Sequence, residues 1–461
     1  MLKCVNRAGS NVSSAARILP LMLLLFLLAC GGSPSSSHIS PPPPPPAGPP
    51  PTPRPGFVSA FSFGMQCGIG TVANCKGNTG INWPTTQGQQ PGVLRLHDTG
   101  TSWASLEPTV AGSYQWGVLD EWLDTIEMHS VAVIQVFSWV PCWDTVDTST
   151  CTKPTVSPNG TNSPPSDLTA SGSPTFNDFV TAFITHCSPA GNCVSKYIKY
   201  YEMWNEWDLA AHWTGTADQL YQMLAPAAGI IRQNVPQAVI LTPSVTASAQ
   251  SELQAWLNLE NANGRISDWV DWHAYLIDNS LPITPEDKWT VSSGAFLSLL
   301  AANPPWDKAP WANTETNFDP MTFACSYTAD DCTGQIVRWQ ILHDSWGAST
   351  LDWYKWNQTI GSNLQNPQYE TAYSNAMQYT VGGHYTAAAS FTAANGASTW
   401  TAPFVEANGT SALWVWTPKE SGTPYTVPSG YVDYLDLTGA KTSVTAGQTI
   451  NIGPEPFLLE Q

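Results

Sequence analysis

Past Gly56 the chain repeats one pattern: a short apolar run that reads as a strand, then apolar residues at helical spacing. The runs fall at 58–65, 93–97, 132–137, 197–204, 238–242, 269–275, 310–314 and 350–356. Helical patterns lie between most of them, at 119–129, 176–187, 218–234, 252–263, 294–302 and 335–346. In 119–129, for instance, Leu119, Trp122, Leu123 and Ile126 recur on one face of a 3.6-residue period. Strands alternating with helices pair in parallel, because each crossover helix returns the chain to the same end of the sheet. Eight such units predict an α/β fold, a (β/α)8 TIM barrel. The first interval, 68–92, departs from the pattern: it is rich in Gly, Asn and Thr and shows no clear helix.

The flanks read differently. Lys3, Arg7 and Arg17 precede an apolar run from Ile18 to Ala29, shorter than the ~20 residues that span a bilayer. The run ends Leu27-Leu28-Ala29-Cys30-Gly31, which resembles a bacterial lipobox, so residues 1–30 are expected to be a lipoprotein signal with Cys30 as the lipidated residue. Residues 31–56 are rich in Ser and Pro, including Pro41 to Pro46, and are expected to form an extended linker. The barrel is expected over 57–382. Beyond it, at 383–461, strand-like runs at 411–417, 431–437 and 448–452 are separated by Gly, Pro, Asn and Thr. They predict a small C-terminal antiparallel β-domain, sandwich-like, that packs on the barrel or binds sugar itself. The expected location is the cell envelope, outer membrane or surface, with membrane contact only through the lipid.

A formal net charge of -18, from 17 Lys+Arg against 35 Asp+Glu, argues against a nucleic-acid partner, which needs a basic surface. Of 10 cysteines, those other than Cys4 and Cys30 form close couples: Cys67 with Cys75, Cys142 with Cys151, Cys187 with Cys193, and Cys325 with Cys332. Sequence does not fix connectivity, but neighbouring pairs would close short loops in an oxidising compartment. A metal role is disfavoured, because no Cys-x-x-Cys or nearby His cluster accompanies them. The 22 Trp supply either core mass or flat platforms for sugar rings.

Two stretches carry chemistry. Tyr200-Tyr201-Glu202-Met203-Trp204-Asn205-Glu206-Trp207-Asp208 runs an apolar strand into Asn-Glu, and Trp311-Ala312-Asn313-Thr314-Glu315-Thr316 ends a second strand in a carboxylate. By order these are the ends of strands four and seven, on the barrel edge where reacting groups converge. The chain here resembles the clan A glycoside hydrolases, most closely family 39, over roughly 61–356. The resemblance implies a retaining glycosidase without a cofactor, acting on oligo- or polysaccharide, with Glu206 as general acid/base and Glu315 as nucleophile. It also implies that Asn205 bonds the substrate 2-hydroxyl. Many relatives follow Asn-Glu with Pro, whereas Trp207 follows here. A retaining pair needs its carboxyl groups ~5–5.5 Å apart and its two acidities driven apart.

Other residues are secondary candidates. Arg95 and Glu202 are expected to pair inside the barrel and support Glu315 or Asn205. His97 and Asp98 end strand two and either reach a sugar hydroxyl or shape the loop. His273 and Tyr275 end strand six; by resemblance they border the nucleophile, and otherwise they are core. Of Trp353 and Trp356 near the end of strand eight, one is expected to floor the nonreducing-end subsite and the other to be core. Trp139 is a further candidate for stacking, as is Trp103. No metal motif, phosphate loop, dinucleotide fingerprint or Gly-x-Ser-x-Gly elbow is present. The competing class is a non-catalytic glycan-binding surface lipoprotein. Oligomeric state is left open.

Overall fold

A computed structural model describes residues 56–66, 90–151, 160–278, 281–318, 325, 329–354, 366–394, 397–418 and 422–461. Eight parallel strands form the central sheet: β1 Phe63–Gln66, β2 Val93–Leu96, β3 Ala132–Val136, β4 Tyr200–Glu202, β5 Val239–Leu241, β6 Val270–His273, β7 Trp311–Thr316 and β8 Leu351–Tyr354. Their order is β5-β4-β3-β2-β1-β8-β7-β6. Isolated parallel bridges, Leu241 to Trp269 and Thr246 to His273, join β5 to β6 and nearly close the barrel. The expected α/β class and TIM barrel are therefore met.

Helices α1 Gly117–His129, α2 Pro174–Thr185, α3 Ala217–Asn234, α4 Gln250–Asn263, α5 Gly294–Ala301, α6 Ala329–Ser345 and α7 Pro367–Thr380 surround it. Local chemistry starts them. Thr216 and Gln219 form a reciprocal capping box on α3. Ser173 caps α2 and Asn366 caps α7, each followed by a proline whose missing N–H costs nothing at that position. Helix α7 was not expected. It buries Tyr369, Ala372, Tyr373, Ala376 and Met377, a helical stripe made partly of small residues.

Strand alternation sorts the side chains. Outward residues join the helix layer; Trp272 on β6 stacks on Phe296 of α5 at 4.4 Å. The barrel interior has an apolar base of Val93, Ile134, Leu241 and Ala312 against Phe61, Tyr200 and Trp269. Above it lies a fully buried polar layer containing Gln66, Arg95, Glu202, Asp271, Thr314 and Asp352. Gly64 leaves room for that layer, since a Cβ there would stand 1.6 Å from Asp352 Oδ1.

Beyond α7 come β9 His384–Tyr385, β10 Ser390–Ala394, β11 Ala397–Val405, β12 Ser411–Trp416, β13 Thr423–Thr426, β14 Asp433–Leu435, β15 Lys441–Ser443, β16 Thr449–Ile452 and β17 Phe457–Glu460. They form an antiparallel sheet, ordered β9-β11-β12-β17-β14-β15 with β10 also on β11, and a separate β13-β16 pair. Val415, Val427, Val444, Ile452 and Leu459 make a small core of their own. The domain also seals onto the barrel. Trp414 and Trp416 are fully buried, and Trp416 Nε1 donates to Glu286 Oε1 at 2.7 Å. Asn375 and Tyr379 of α7 donate to the Leu437 and Asp436 carbonyls.

Cys187 is bonded to Cys193 and Cys325 to Cys332. The expected bridge between Cys142 and Cys151 is corrected: both are thiols. Each sulfur lies near the other residue's carbonyl oxygen, at 3.5 and 3.9 Å. Cys67, Cys75, Cys30 and Trp356 lie outside the described residues. Among the described residues no helix is long and apolar enough to cross a membrane.

Candidate active site

Arg95 on β2 organises the C-terminal end of the barrel. Its Nε and one terminal nitrogen grip both oxygens of Glu202 at 2.7 Å. The same guanidinium donates to Asn205 Oδ1 at 2.7 Å, Gln66 Oε1 at 2.9 Å and Glu315 Oε2 at 2.6 Å. A guanidinium can only donate, so these contacts fix which face each partner presents. Arg95 and Glu202 are 0 % exposed, and their bidentate geometry compensates the desolvation of both charges.

Glu206 sits one turn past β4 with φ 39°, a left-handed backbone that side chains other than Gly rarely adopt. Two hydrogen bonds hold the turn: Glu206 N–H to Ser244 Oγ at 2.9 Å and Trp207 N–H to the Ser244 carbonyl at 3.2 Å. A proline at 207 could not make the second bond, which gives the Trp a local reason. Glu206 Oε1 lies 2.9 Å from His273 Nδ1, and Oε2 lies 3.4 Å from His212 Nδ1. Burial pushes the Glu206 carboxyl up to about 7; His212 and Arg95 oppose this, while Asp208 and Glu202 add to it. Burial, then Arg95, drives His273 down to about 4, so that imidazole is neutral near pH 7.

Glu315 faces inward because β7 is irregular. The pairing register shifts between Asn313 and Glu315 against β6, and between Asn313 and Thr316 against β8. The bulge lets both Thr314 and Glu315 point into the barrel. Thr314 Oγ1 reaches Asp271 Oδ2 at 2.8 Å, and Tyr275 donates its hydroxyl to Glu315 Oε1 at 2.5 Å. Carboxylate oxygens of Glu206 and Glu315 and a ring nitrogen of His273 all lie within 4.8 Å of one another. Glu202, Asp271 and His273 form a similar group. Either trio has donor types that suit a cation, but Arg95 already supplies positive charge to Glu202 and Glu315.

The structure brings together Arg95, Glu202, Asn205, Glu206, His273, Tyr275 and Glu315, all 9 % exposed or less. His97 and Asp98 lie beside them with Trp139, lining a small cavity. Among the described residues the ring nitrogens of His97 have no hydrogen-bond partner, although Nδ1 is 3.5 Å from Asp98 Oδ1. Asp98 (φ 57°) and Trp139 (φ 61°) share the left-handed backbone of Glu206. Two expected platforms are corrected. Trp353 is 2 % exposed and points outward from β8 against Phe318, because alternation gives the inward position to Tyr354. Trp103 is fully buried against Phe176 and Phe179 of α2. Sequence reasoning missed Tyr354, whose hydroxyl donates to Asp98 Oδ2 at 3.1 Å; strict two-residue alternation from Asp352 would have found it. It also missed His212, six residues past Glu206 in a loop with no periodicity.

No known family model matches the sequence. No curated protein matches it by sequence either. Solved structures do match by shape. A glucosidase from Croceicoccus marinus superposes with a TM-score of 0.59 at 14% identity, covering 88% of this chain and 97% of its own. A family 39 glycoside hydrolase from Bacteroides cellulosilyticus WH2 gives 0.59 at 15% identity, over 88% of this chain and 82% of its own. A monomeric beta-xylosidase from Caulobacter crescentus CB15 gives 0.61 at 13% identity, over 90% and 97%. At such identities the likeness is one of fold, and on that ground the chain has the fold of the family 39 glycoside hydrolases.

Proposed function

We propose that this protein is a retaining glycoside hydrolase of oligo- or polysaccharides, with Glu315 as nucleophile and Glu206 as general acid and base. The observation that carries the reading is the pair of buried carboxylates with oxygens within 4.8 Å. That spacing suits double displacement, which uses carboxyls ~5–5.5 Å apart, and not inversion, which needs ~6.5–9.5 Å to admit water. Tyr275 and Arg95 occupy both Glu315 oxygens with donors, as an attacking anion requires. Glu206, pushed up to about 7, can carry a proton near neutral pH.

In the first step Glu206 gives its proton to the glycosidic oxygen as Glu315 attacks the anomeric carbon. The carbon–oxygen bond breaks, and a glycosyl ester forms on Glu315. In the second step the Glu206 carboxylate takes a proton from water as that water attacks the same carbon, releasing Glu315. We assign His97 and Asp98 to sugar hydroxyls, Trp139 to a stacking surface and Asn205 to the 2-hydroxyl. Because two structural neighbours are named a glucosidase and a beta-xylosidase, aryl glucosides and xylosides are the first probes. Glu206→Ala and Glu315→Ala should each lower turnover by ~10²–10⁴-fold or more. External azide should partly restore at least one of them. Wild-type rates in either variant would refute the assignment.

We further infer export and lipid anchoring through Cys30. The apolar run ending Leu28-Ala29-Cys30 supports this, as do the two disulfides among the described residues, since such bonds persist in oxidising compartments.

A further inference from the structure

Asp271 is a fully buried carboxyl that the double displacement does not use. It shares the inward face of β6 with His273, two residues on. On β7, Asn313 pairs with Trp272 and Glu315 with His273, so Thr314 is the extra residue of the bulge. Its hydroxyl touches both inward residues of β6: Asp271 Oδ2 at 2.8 Å and His273 Nε2 at 3.1 Å. Among the described residues Asp271 Oδ1 has no hydrogen-bond partner. An anion buried with one oxygen bare is costly. Burial, and then the charge of Glu202, holds the Asp271 carboxyl well above its ordinary range. Asp271 is therefore a neutral acid, and its Oδ2 donates to Thr314 Oγ1.

The next two bonds take their direction from the first. Thr314 has one hydrogen to give. Glu202 Oε2 is 3.3 Å away, long for a hydroxyl donor, and both Glu202 oxygens already receive Arg95 N–H groups at 2.7 Å. The hydrogen goes to His273 Nε2. A neutral His273 then carries its own hydrogen on Nδ1 and donates it to Glu206 Oε1 at 2.9 Å. Because Oε1 is an acceptor, the acidic proton of Glu206 belongs on Oε2, the oxygen on the side of His212.

We propose that Asp271 and Thr314 are positioning residues for the acid: through Thr314, Asp271 fixes the Nδ1–H tautomer of His273, which occupies Glu206 Oε1 and leaves the transferable proton on Oε2. The proposal rests on the reading of Glu206 as the general acid. No proton moves along the chain. The Nδ1–H also stabilises the Glu206 anion after its proton has left, until water returns one.

The other ionisable groups facing this chain come from the strands around it. Arg95 of β2 is paired with Glu202 of β4, whose Oε1 is 3.8 Å from His273 Nε2. Burial drives His97 well below its ordinary range. Asp352 of β8 is buried, held well above its ordinary range, and accepts from Thr350. Glu315 of β7 is held by Tyr275 and Arg95. Beyond Glu206 lie His212 and Asp208, the latter tied to Thr246.

The direct test is nitrogen NMR of the whole protein with isotopically labelled histidine, near neutral pH, with His273 assigned by loss of its signal in His273→Gln. The proposal predicts hydrogen on Nδ1 and none on Nε2; an Nε2–H tautomer overturns it. The kinetic test is the pH profile of kcat/KM with a phenyl glycoside, which needs the acid, and a dinitrophenyl glycoside, which does not. Thr314→Val removes the hydroxyl that fixes the tautomer. We expect it to lose about tenfold or more on the phenyl substrate and little on the other. Its alkaline limb should move to higher pH by about one unit, because a donor to the Glu206 anion is lost. Thr314→Ser should restore both. Asp271→Asn, which keeps a neutral donor, should leave the profile near wild type. An unmoved or acidward limb in Thr314→Val overturns the proposal, as does a large loss in Asp271→Asn, which would report an ionised Asp271. Glu206→Gln separates the two layers. If it spares only the dinitrophenyl substrate while Thr314→Val leaves the profile intact, the proposal alone falls. If it shows no dependence on leaving group, the acid assignment falls and takes the proposal with it.

Discussion

At the scale of residues, the site is governed by one permanent cation. Arg95 touches Glu202, Asn205, Gln66 and Glu315, so both proposed catalytic positions are indexed to one guanidinium. Its pairing with Glu202 could be anticipated, because an Arg on one strand and a Glu on another, each among apolar neighbours, must compensate each other once buried. The acidity of Glu206 has two consequences. With its carboxyl pushed up to about 7 by burial, kcat/KM for poor leaving groups should be flat below that pH and fall about tenfold per unit above it. The linkage sign is the same. The folded chain keeps a proton that the unfolded chain releases near 4.5, so this group's contribution to stability declines as pH rises from 4.5 to about 7. Glu206→Gln should abolish both effects, as followed by rate profiles and by denaturant unfolding across pH; an alkaline limb that persists in the variant would assign the acid elsewhere.

At the scale of elements, periodicity made most of the molecule legible. All eight barrel strands and six of the surrounding helices follow apolar spacing that requires no long-range information. What periodicity could not supply is irregularity. The β7 bulge that turns Glu315 inward has no local signature, and the loop holding His212 has no period at all. Thiol geometry is likewise hidden: Cys142 and Cys151 are neighbours that remain unbonded. On β8 the error was one residue. Trp353 faces the helices and Tyr354 faces the cavity, a difference of a single step in the pleat. Trp353→Ala should therefore cost about 3–5 kcal/mol of stability by chemical denaturation and leave the KM of the folded enzyme nearly unchanged. Tyr354→Phe should do the opposite, raising KM with little loss of stability. A Trp353 variant that folds as well as wild type but binds substrate poorly would reverse this assignment.

At the scale of the whole molecule, the β-domain and barrel share one core. Trp414, Trp416, Phe404 and Leu458 belong to the same apolar cluster as the barrel helices. Val58 also bonds the Gly383 carbonyl, so the chain entering β1 is tied to the chain leaving α7. The sequence marked this domain through its strands and left packing on the barrel as one of two expectations; which faces meet was not legible, because an interface between two apolar faces has no pattern distinct from a core. Proposed anchoring belongs at this scale too. Cys30→Ser should move the protein from the membrane fraction to the soluble fraction and abolish labelling by a palmitate analogue; unchanged labelling would remove Cys30 from the account. The central claim is that Glu315 bonds the anomeric carbon. Its most direct test is incubation with a 2-deoxy-2-fluoro glycoside bearing a good leaving group, followed by peptide mass mapping. The account predicts a single fluoroglycosyl ester on the peptide carrying Glu315, absent from Glu315→Ala. An adduct on any other residue, or turnover with inverted anomeric configuration and no adduct, would contradict it.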